Sequence, residues 1–390
     1  MAIGYCLFPF SAMTKRVVIA MSGGVDSSVA ASLLVEQGYE VIGLFMRIGI
    51  TTPTFEGDRK RGCCSVQDAH DARCVADSLG IHFYVLNFKE EFDEIIDYFC
   101  HEYASGRTPN PCIICNQKLK FGKLLRLAQA LNADYIATGH YARIEKVGDR
   151  YLLKKGVDQR KDQSYVLFSL TQEQLSHALF PLGTMTKDEV RQKARNLNLK
   201  TKDKQESQEI CFVPENDYRK IILERISGQV EPGIIKDTKG RVLGKHPGIE
   251  FFTIGQRRGI GVAFGKPKYV VNINPAENTI TVGSNTELLE FELTASNLNW
   301  ISINKLENPM EMQAKIRYNH KPSKATIYPV EGERVKVVFD EPQMAITPGQ
   351  AVVFYDGDIV VGGGWIERVT QGGWHAESPP LFGWGQTCLS

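Results

Sequence analysis

The stretch Val17-Val18-Ile19-Ala20-Met21-Ser22-Gly23-Gly24-Val25-Asp26-Ser27-Ser28 decides the fold. Its first four residues are short, apolar and mostly β-branched, the pattern of a strand covered on both faces in a parallel sheet. Two glycines follow at once. From Ser27 to Gln37 the residues Val29, Ala30, Leu33 and Leu34 recur at helical spacing, and Gly38 supplies a stop. A strand, a glycine-rich turn and a helix start form an anion cradle: glycine lets backbone approach phosphate oxygens, the helix start offers unpaired N–H groups, and the serines add donors. The loop lacks the lysine of a Walker A motif. A plain strand-to-helix turn with capping serines is the bland alternative.

Working outward, strands are expected over 39–46, 82–88 and 133–138, and helices over 69–79, 92–103 and 119–131. This alternation predicts right-handed βαβ units and an α/β fold with a doubly wound parallel sheet. Ligands in such sheets bind beyond the carboxyl ends of the strands, where both the glycine turn and Thr138-Gly139-His140 fall. Beyond Pro214 the texture changes to glycine-rich stretches and short strands. The expected organisation is a catalytic domain over 14–215, a small central domain over 216–285 and a C-terminal β-barrel over 286–370, with 1–13 and 371–390 as extensions.

Composition narrows the class. The 390 residues are 43% hydrophobic and 23% charged, and no apolar run reaches the roughly 20 residues of a membrane helix. A net charge of +1 says nothing about a polyanionic partner, because local clustering decides affinity for phosphates. The opening 13 residues contain no Lys or Arg, unlike a signal or transit peptide, and Met13 is a second candidate start. A cytoplasmic protein is expected. Nine irregularly spaced cysteines do not make a disulfide framework.

Two cysteines stand in Thr108-Pro109-Asn110-Pro111-Cys112-Ile113-Ile114-Cys115-Asn116. The prolines suggest an extended turn delivering both thiols just before a helix at Lys118, where Lys118 and Lys120 would lower a thiol pKa. A third cysteine sits in Glu206-Ser207-Gln208-Glu209-Ile210-Cys211-Phe212. Between Lys187 and Lys204 seven basic residues face three acidic ones, a run that fits either an RNA backbone or a solvated helix.

The segment SGGVDSS resembles the PP-loop of the N-type ATP pyrophosphatases, which cleave ATP between the α and β phosphates. That resemblance implies that Ala20, Met21, Ser22, Gly23, Gly24, Val25, Asp26 and Ser27 lie along ATP, with Asp26 holding Mg²⁺ and pyrophosphate. Met46 would sit beside adenine and Gly139 would make a second ATP contact. Adding the cysteine segments, Lys161-Asp162-Gln163-Ser164-Tyr165, the stretch from Phe252 to Gly259, and Lys315-Ile316-Arg317-Tyr318, the chain resembles the bacterial tRNA-specific 2-thiouridylase (MnmA) family from about Lys15 to Glu367.

The family likeness implies a tRNA uridine 2-sulfurtransferase that adenylates the O2 of the wobble uridine, in lysine, glutamate and glutamine tRNAs, and then installs sulfur. It makes Cys115 the nucleophile and Cys211 the persulfide carrier. It places Asn110, Pro111 and Cys112 against the target base, and Lys161, Asp162, Gln163, Arg317 and Tyr318 against tRNA. An Arg-Tyr pair offers phosphate binding and a stacking face. The expected partners are tRNA and a sulfur donor: a persulfide relay protein, a cysteine desulfurase or sulfide. No membrane is expected.

One position departs from the better-known family pattern, which has aspartate where this chain has Cys112. Cys112, Cys115 and Cys211 then offer three soft ligands, and a [4Fe–4S] cluster with one open iron is one expectation. A metal-free persulfide route ending in a Cys115–Cys211 disulfide is another, and zinc is a third. A nucleotide or redox sensor without turnover, and a PP-loop ligase or amidotransferase acting on a small molecule, are the functional alternatives.

Overall fold

The computed structural model describes residues 14–49, 66–205, 210–213, 217–226, 228, 230–263 and 265–367. The two expected extensions, and Glu206–Glu209 ahead of the third cysteine, lie outside the described residues.

The first domain is a doubly wound sheet. Its strands are β1 (Arg16–Ala20), β2 (Glu40–Arg47), β3 (His82–Asn87) and β4 (Tyr135–Ala137), in the order β3-β2-β1-β4, with a two-residue strand Ala178–Leu179 beside β4. All neighbours run parallel. Val17, Val18 and Ile19 are wholly buried, as their β-branched run demands: Val17 and Ile19 face one helical layer and Val18 the other. Helices α1 (Val25–Glu36) and α2 (Val66–Leu79) cover the first face. Helix α3 (Lys89–Ala104) covers the second with Phe92, Ile95, Ile96 and Phe99. Because the chain passes from β1 to β2 and β3 on one side and returns to β4 on the other, the switch point opens between β1 and β4.

One element differs from its expected form. Rather than an extended turn and a helix from 119, the chain is helical from Pro111: α4 (Pro111–Ile114), a π-helical stretch (Cys115–Lys123), then α5 (Leu124–Ala130). Proline at the first helical position loses no hydrogen bond and arrives with the right φ, so Pro111 starts the helix. Both cysteines of the pair are therefore inside helical structure.

After β4 the hairpin β5 (Ala142–Val147) and β6 (Arg150–Lys155) leaves the sheet. The short α6 (Gln172–Ser176) leads to the two-residue strand, here β7, and to α7 (Lys187–Asn196), which packs with α1. Helix α8 (Tyr218–Ile226) lies on α3, with the Tyr103 and Tyr218 rings stacked at 4.5 Å. The central sheet holds β8 (Gly233–Asp237), β9 (Val242–His246), β10 (Tyr269–Asn274) and β11 (Thr279–Gly283) in the order β10-β11-β8-β9.

The last domain is a closed barrel of β12 (Leu289–Trp300), β13 (Met310–Lys315), β14 (Ser323–Val330), β15 (Arg334–Met344), β16 (Ala351–Asp356) and β17 (Ile359–Ile366). The order β12-β15-β14-β13-β16-β17 closes through pairing of β17 back onto β12. Hairpin β5–β6 extends this sheet, pairing Lys154 with Ile359. Arg143 reinforces the seam with a 2.6 Å ion pair to Asp358. The barrel is thus joined to the first domain by shared strand pairing.

Candidate active site at the sheet switch point

The glycine turn closes on itself. Ser22 N–H donates to Ser27 Oγ at 3.2 Å, and the Ser27 and Ser28 hydroxyls donate back to the Gly24 carbonyl at 3.2 and 2.8 Å. Gly24 caps α1 with extended backbone and no side-chain cap, leaving the first N–H groups of the helix for a ligand. Gly23 is required twice over: its φ is +71°, and a Cβ there would sit 2.2 Å from the Asp68 carbonyl. Gly139, leaving β4, lies against the same turn, since a Cβ on it would meet Ser27 N at 2.9 Å.

Two lysines that sequence reasoning assigned to a surface run belong here. Lys187 is buried, and its Nζ spans both Asp26 oxygens at 2.7 and 2.8 Å. Tyr141 donates its hydroxyl to Asp26 Oδ1 at 2.7 Å. Lys204 Nζ donates to the Gly23 carbonyl at 2.9 Å and to Asp68 and Asp71 on α2 at 2.5 and 2.9 Å. Burial works against its charge, but the two carboxylates outweigh it and raise its pKa. The same contacts outweigh burial at Asp71 and lower its pKa. The cradle therefore receives its cations from about 160 to 180 residues downstream. Ala20 and Met46, at the ends of β1 and β2, are half-buried against the hydrophobic core, and Met21 and Val25 are buried.

The thiol-bearing segment is held by the other two domains. Thr108 N–H donates to the Pro348 carbonyl at 2.8 Å, and Gln350 Nε2 donates to the Thr108 and Pro109 carbonyls at 3.0 and 3.1 Å. Thr108 Oγ1 donates to Thr253 Oγ1 of the central domain at 3.3 Å. Asn110 is half-exposed, Pro111 buried and Cys112 exposed.

Cys115 overturns one expectation. Its position inside the helix and against the hydrophobic core raises its pKa by burial, with Lys120 only partly opposing. The thiol is the resting form. Lys120 is held at 3.0 Å by Asn116 Oδ1, and Asn116 is itself tied to the Val166 carbonyl. Burial, and then the Lys120 charge, keep the nearby His140 neutral, with Nδ1 2.7 Å from Thr138 Oγ1.

Cys211 is half-buried against the same core as Cys115, and its neighbour Phe212 packs edge-on to Phe92 and Phe99 at 5.6 and 5.1 Å. The expected [4Fe–4S] ligand set does not assemble. Among the described residues no three His, Cys, Asp or Glu side chains converge where a metal could sit. Cys112 is exposed while Cys115 turns toward the apolar core.

Of the residues assigned to tRNA, Asp162 and Gln163 organise the protein. Asp162 is buried and accepts from Gly156 N, Ser164 N and Ser164 Oγ, while Gln163 accepts from Tyr141 N at 3.0 Å. Tyr318 is exposed, with its ring 6.2 Å from Tyr165 and Lys315 above both rings. Lys161 and Arg317 are half-exposed. No helix among the described residues is long and apolar enough to cross a membrane.

A doubly wound sheet with a PP-loop cradle at its switch point, thiols on an adjoining helix and a barrel welded to its edge defines a multidomain nucleotide-handling protein of the HUP class. Comparison with known families agrees. Residues 15–215 match the tRNA methyl transferase HUP domain, 220–284 the tRNA methyl transferase PRC-barrel domain and 290–366 the aminomethyltransferase β-barrel domain. The chain is 56% identical to the tRNA-specific 2-thiouridylase MnmA of Acetivibrio thermocellus, over 90% of this chain and 99% of that protein. It is 54% identical to the MnmA of Clostridioides difficile over 91% and 99%. The chain belongs to the tRNA-specific 2-thiouridylase MnmA family.

Proposed function

We infer that this protein is a tRNA uridine 2-sulfurtransferase that spends ATP to exchange the wobble uridine O2 for sulfur. The observation that carries the reading is the pairing of a lysine-backed anion cradle with thiols on a helix clamped by two further domains, in a chain of this family.

The carbonyl oxygen at C2 is a poor leaving group, so it must be activated. O2 attacks the α-phosphorus of ATP, and pyrophosphate departs toward the loop of Ser22–Ser27. Its negative charge is met by the loop's N–H groups, the usual electrostatic contribution to such a step. Mg²⁺ binds with few protein carboxylates when phosphates supply the rest, and Asp26, about a third exposed, is a suitable one. It would neutralise charge on the phosphates.

Sulfur then adds at C2. The terminal sulfur of a Cys211 persulfide attacks, AMP leaves, and the base is briefly joined to Cys211 through S–S. Cys115 attacks the Cys211 sulfur, releasing 2-thiouridine and leaving a Cys115–Cys211 disulfide, which an external thiol must reduce. The Lys120 ammonium, which lowers the Cys115 pKa against burial, is suited to stabilise the thiolate when its proton leaves. No step is assigned to an iron–sulfur cluster, because the three cysteines do not fit one. The lysine, glutamate and glutamine tRNAs are the proposed substrates, and a persulfide donor, which hands its sulfane sulfur to Cys211, is the proposed sulfur source.

The matched family descriptions mention methyl transfer, which needs an activated methyl donor and gives no role to paired thiols or an adenylating loop. The deciding experiment incubates the full chain with ATP, Mg²⁺, a persulfide donor and unmodified tRNA. Mass analysis of the digest should find 2-thiouridine together with stoichiometric pyrophosphate. Pyrophosphate without thiolated nucleoside would redirect the assignment to another adenylation. A colourless, iron-free protein should be fully active.

A further inference from the structure

The loop from Gly255 to Lys268 plays no part in the chemistry above, and its composition is unusual. It carries Arg257, Arg258, Lys266 and Lys268 and no acidic residue. Its neck is fixed: Gly255 N donates to the Val270 carbonyl at 2.8 Å, Val270 N to the Gln256 carbonyl at 2.9 Å, and Thr253 N to Gln256 Oε1 at 3.1 Å. Beyond the neck Ile260 is buried and anchors the loop to the core, while the glycine backbone on either side stays open. Gly261 and Gly265 have φ of +86° and +66°, and open space lies where each would carry a Cβ.

Arg257, Lys266 and Lys268 line a recess of about 380 Å³ whose other walls include Gly259 and Gly261. Among the described residues no carboxylate pairs with Arg257, Arg258 or Lys266, all of them exposed. Exposed cations spread along a glycine-rich loop fit a row of phosphates better than one small anion, which needs converging, desolvated donors. The loop's base also leads to the active site, through the 3.3 Å bond from Thr108 to Thr253, and Thr108 stands two residues before Asn110.

We propose that the loop Gly255–Lys268 is a clamp for the sugar–phosphate backbone of the RNA substrate, gripping it while the adjoining Thr108–Cys112 segment engages the base. The proposal rests on RNA being the substrate, as argued above. Phosphate contacts of this kind position the nucleic acid and carry no sequence information.

The test is the variant R257Q/R258Q/K266Q in the full chain, with unmodified tRNA binding measured by fluorescence anisotropy across a salt series. Each lost phosphate contact removes close to one from the slope of log affinity against log salt, so a fall of about 2 to 3 is expected. ATP affinity and thermal midpoint should match the wild type, because the changed side chains are exposed. An unchanged slope and affinity would overturn the clamp even if the wild type thiolates tRNA. A wild type that binds tRNA through this loop yet makes no 2-thiouridine would instead overturn the functional reading alone. If inorganic pyrophosphate binds the wild-type loop, displaces no tRNA and is lost in the variant, the loop is a small-anion site and the clamp is wrong.

Discussion

Replacing Lys187 by methionine tests the link between the cradle and the rest of the domain. The ammonium is almost wholly buried, its side chain 6% exposed, and it bridges both Asp26 oxygens at 2.7 and 2.8 Å. At an effective dielectric of about 20, two unit charges at that distance attract by about 6 kcal/mol before desolvation. Removing one partner of a buried pair costs about 3 to 5 kcal/mol. Asp26 is 31% exposed and keeps the Tyr141 hydroxyl, so water recovers part of this and about 2 kcal/mol remains. The helix start itself survives: Thr186 and Glu189 form a capping box, and Lys187 N–H still donates to Asp158. The loss should therefore be confined to the junction of α1 and α7. Native-state amide exchange in those two helices should quicken by about 30-fold. Asp26→Asn alone should cost a similar amount, and the double variant clearly less than the sum. Exchange within about threefold of wild type, or strict additivity of the two changes, would refute the reasoning.

Three further outcomes are expected. Gly139→Ala should weaken ATP binding at least tenfold and cost about 1 to 3 kcal/mol of stability, because the new methyl presses on Ser27 N and the Asp26 backbone; isothermal titration measures the affinity, and wild-type affinity would contradict the close approach. Burial raises the Cys115 pKa, so its alkylation rate should climb as pH rises beyond neutrality, and Lys120→Met should move that climb to higher pH; reactivity already level at neutral pH would argue against the raised pKa of this half-buried thiol. Gln350→Ala removes two hydrogen bonds to the Thr108–Pro109 carbonyls, about 1 to 2 kcal/mol, and should lower single-turnover thiolation by roughly 5- to 30-fold while ATP affinity holds.

How far the sequence could be read depended on whether the cause of a feature lay within one element. β1 was legible because two-sided burial writes itself as a β-branched run, and the glycine cradle because its spacing is its mechanism. The helix over 111–130 was misread because two prolines look like an extended turn, yet one of them occupies the first helical position, where its missing N–H costs nothing. That error carried over into the Cys115 pKa. A thiol ahead of a helix would gain from the terminus, whereas a thiol inside it loses to burial.

Lys187 and Lys204 failed to be read for a different reason. Each looks like a surface charge in its local stretch, and only the sheet topology decides otherwise. Placing β4 beside β1 brings Tyr141 against Asp26, and α7, packed on α1, returns Lys187 to the loop. A PP-loop has no lysine of its own, so positive charge must come from elsewhere in the chain; here it arrives on α7 and on the segment just after it. That segment runs on from Lys204 toward Cys211, seven residues further along the chain. Lys204 ties the Gly23 carbonyl to the Asp68 and Asp71 carboxylates of α2, so the loop and α2 share one cation.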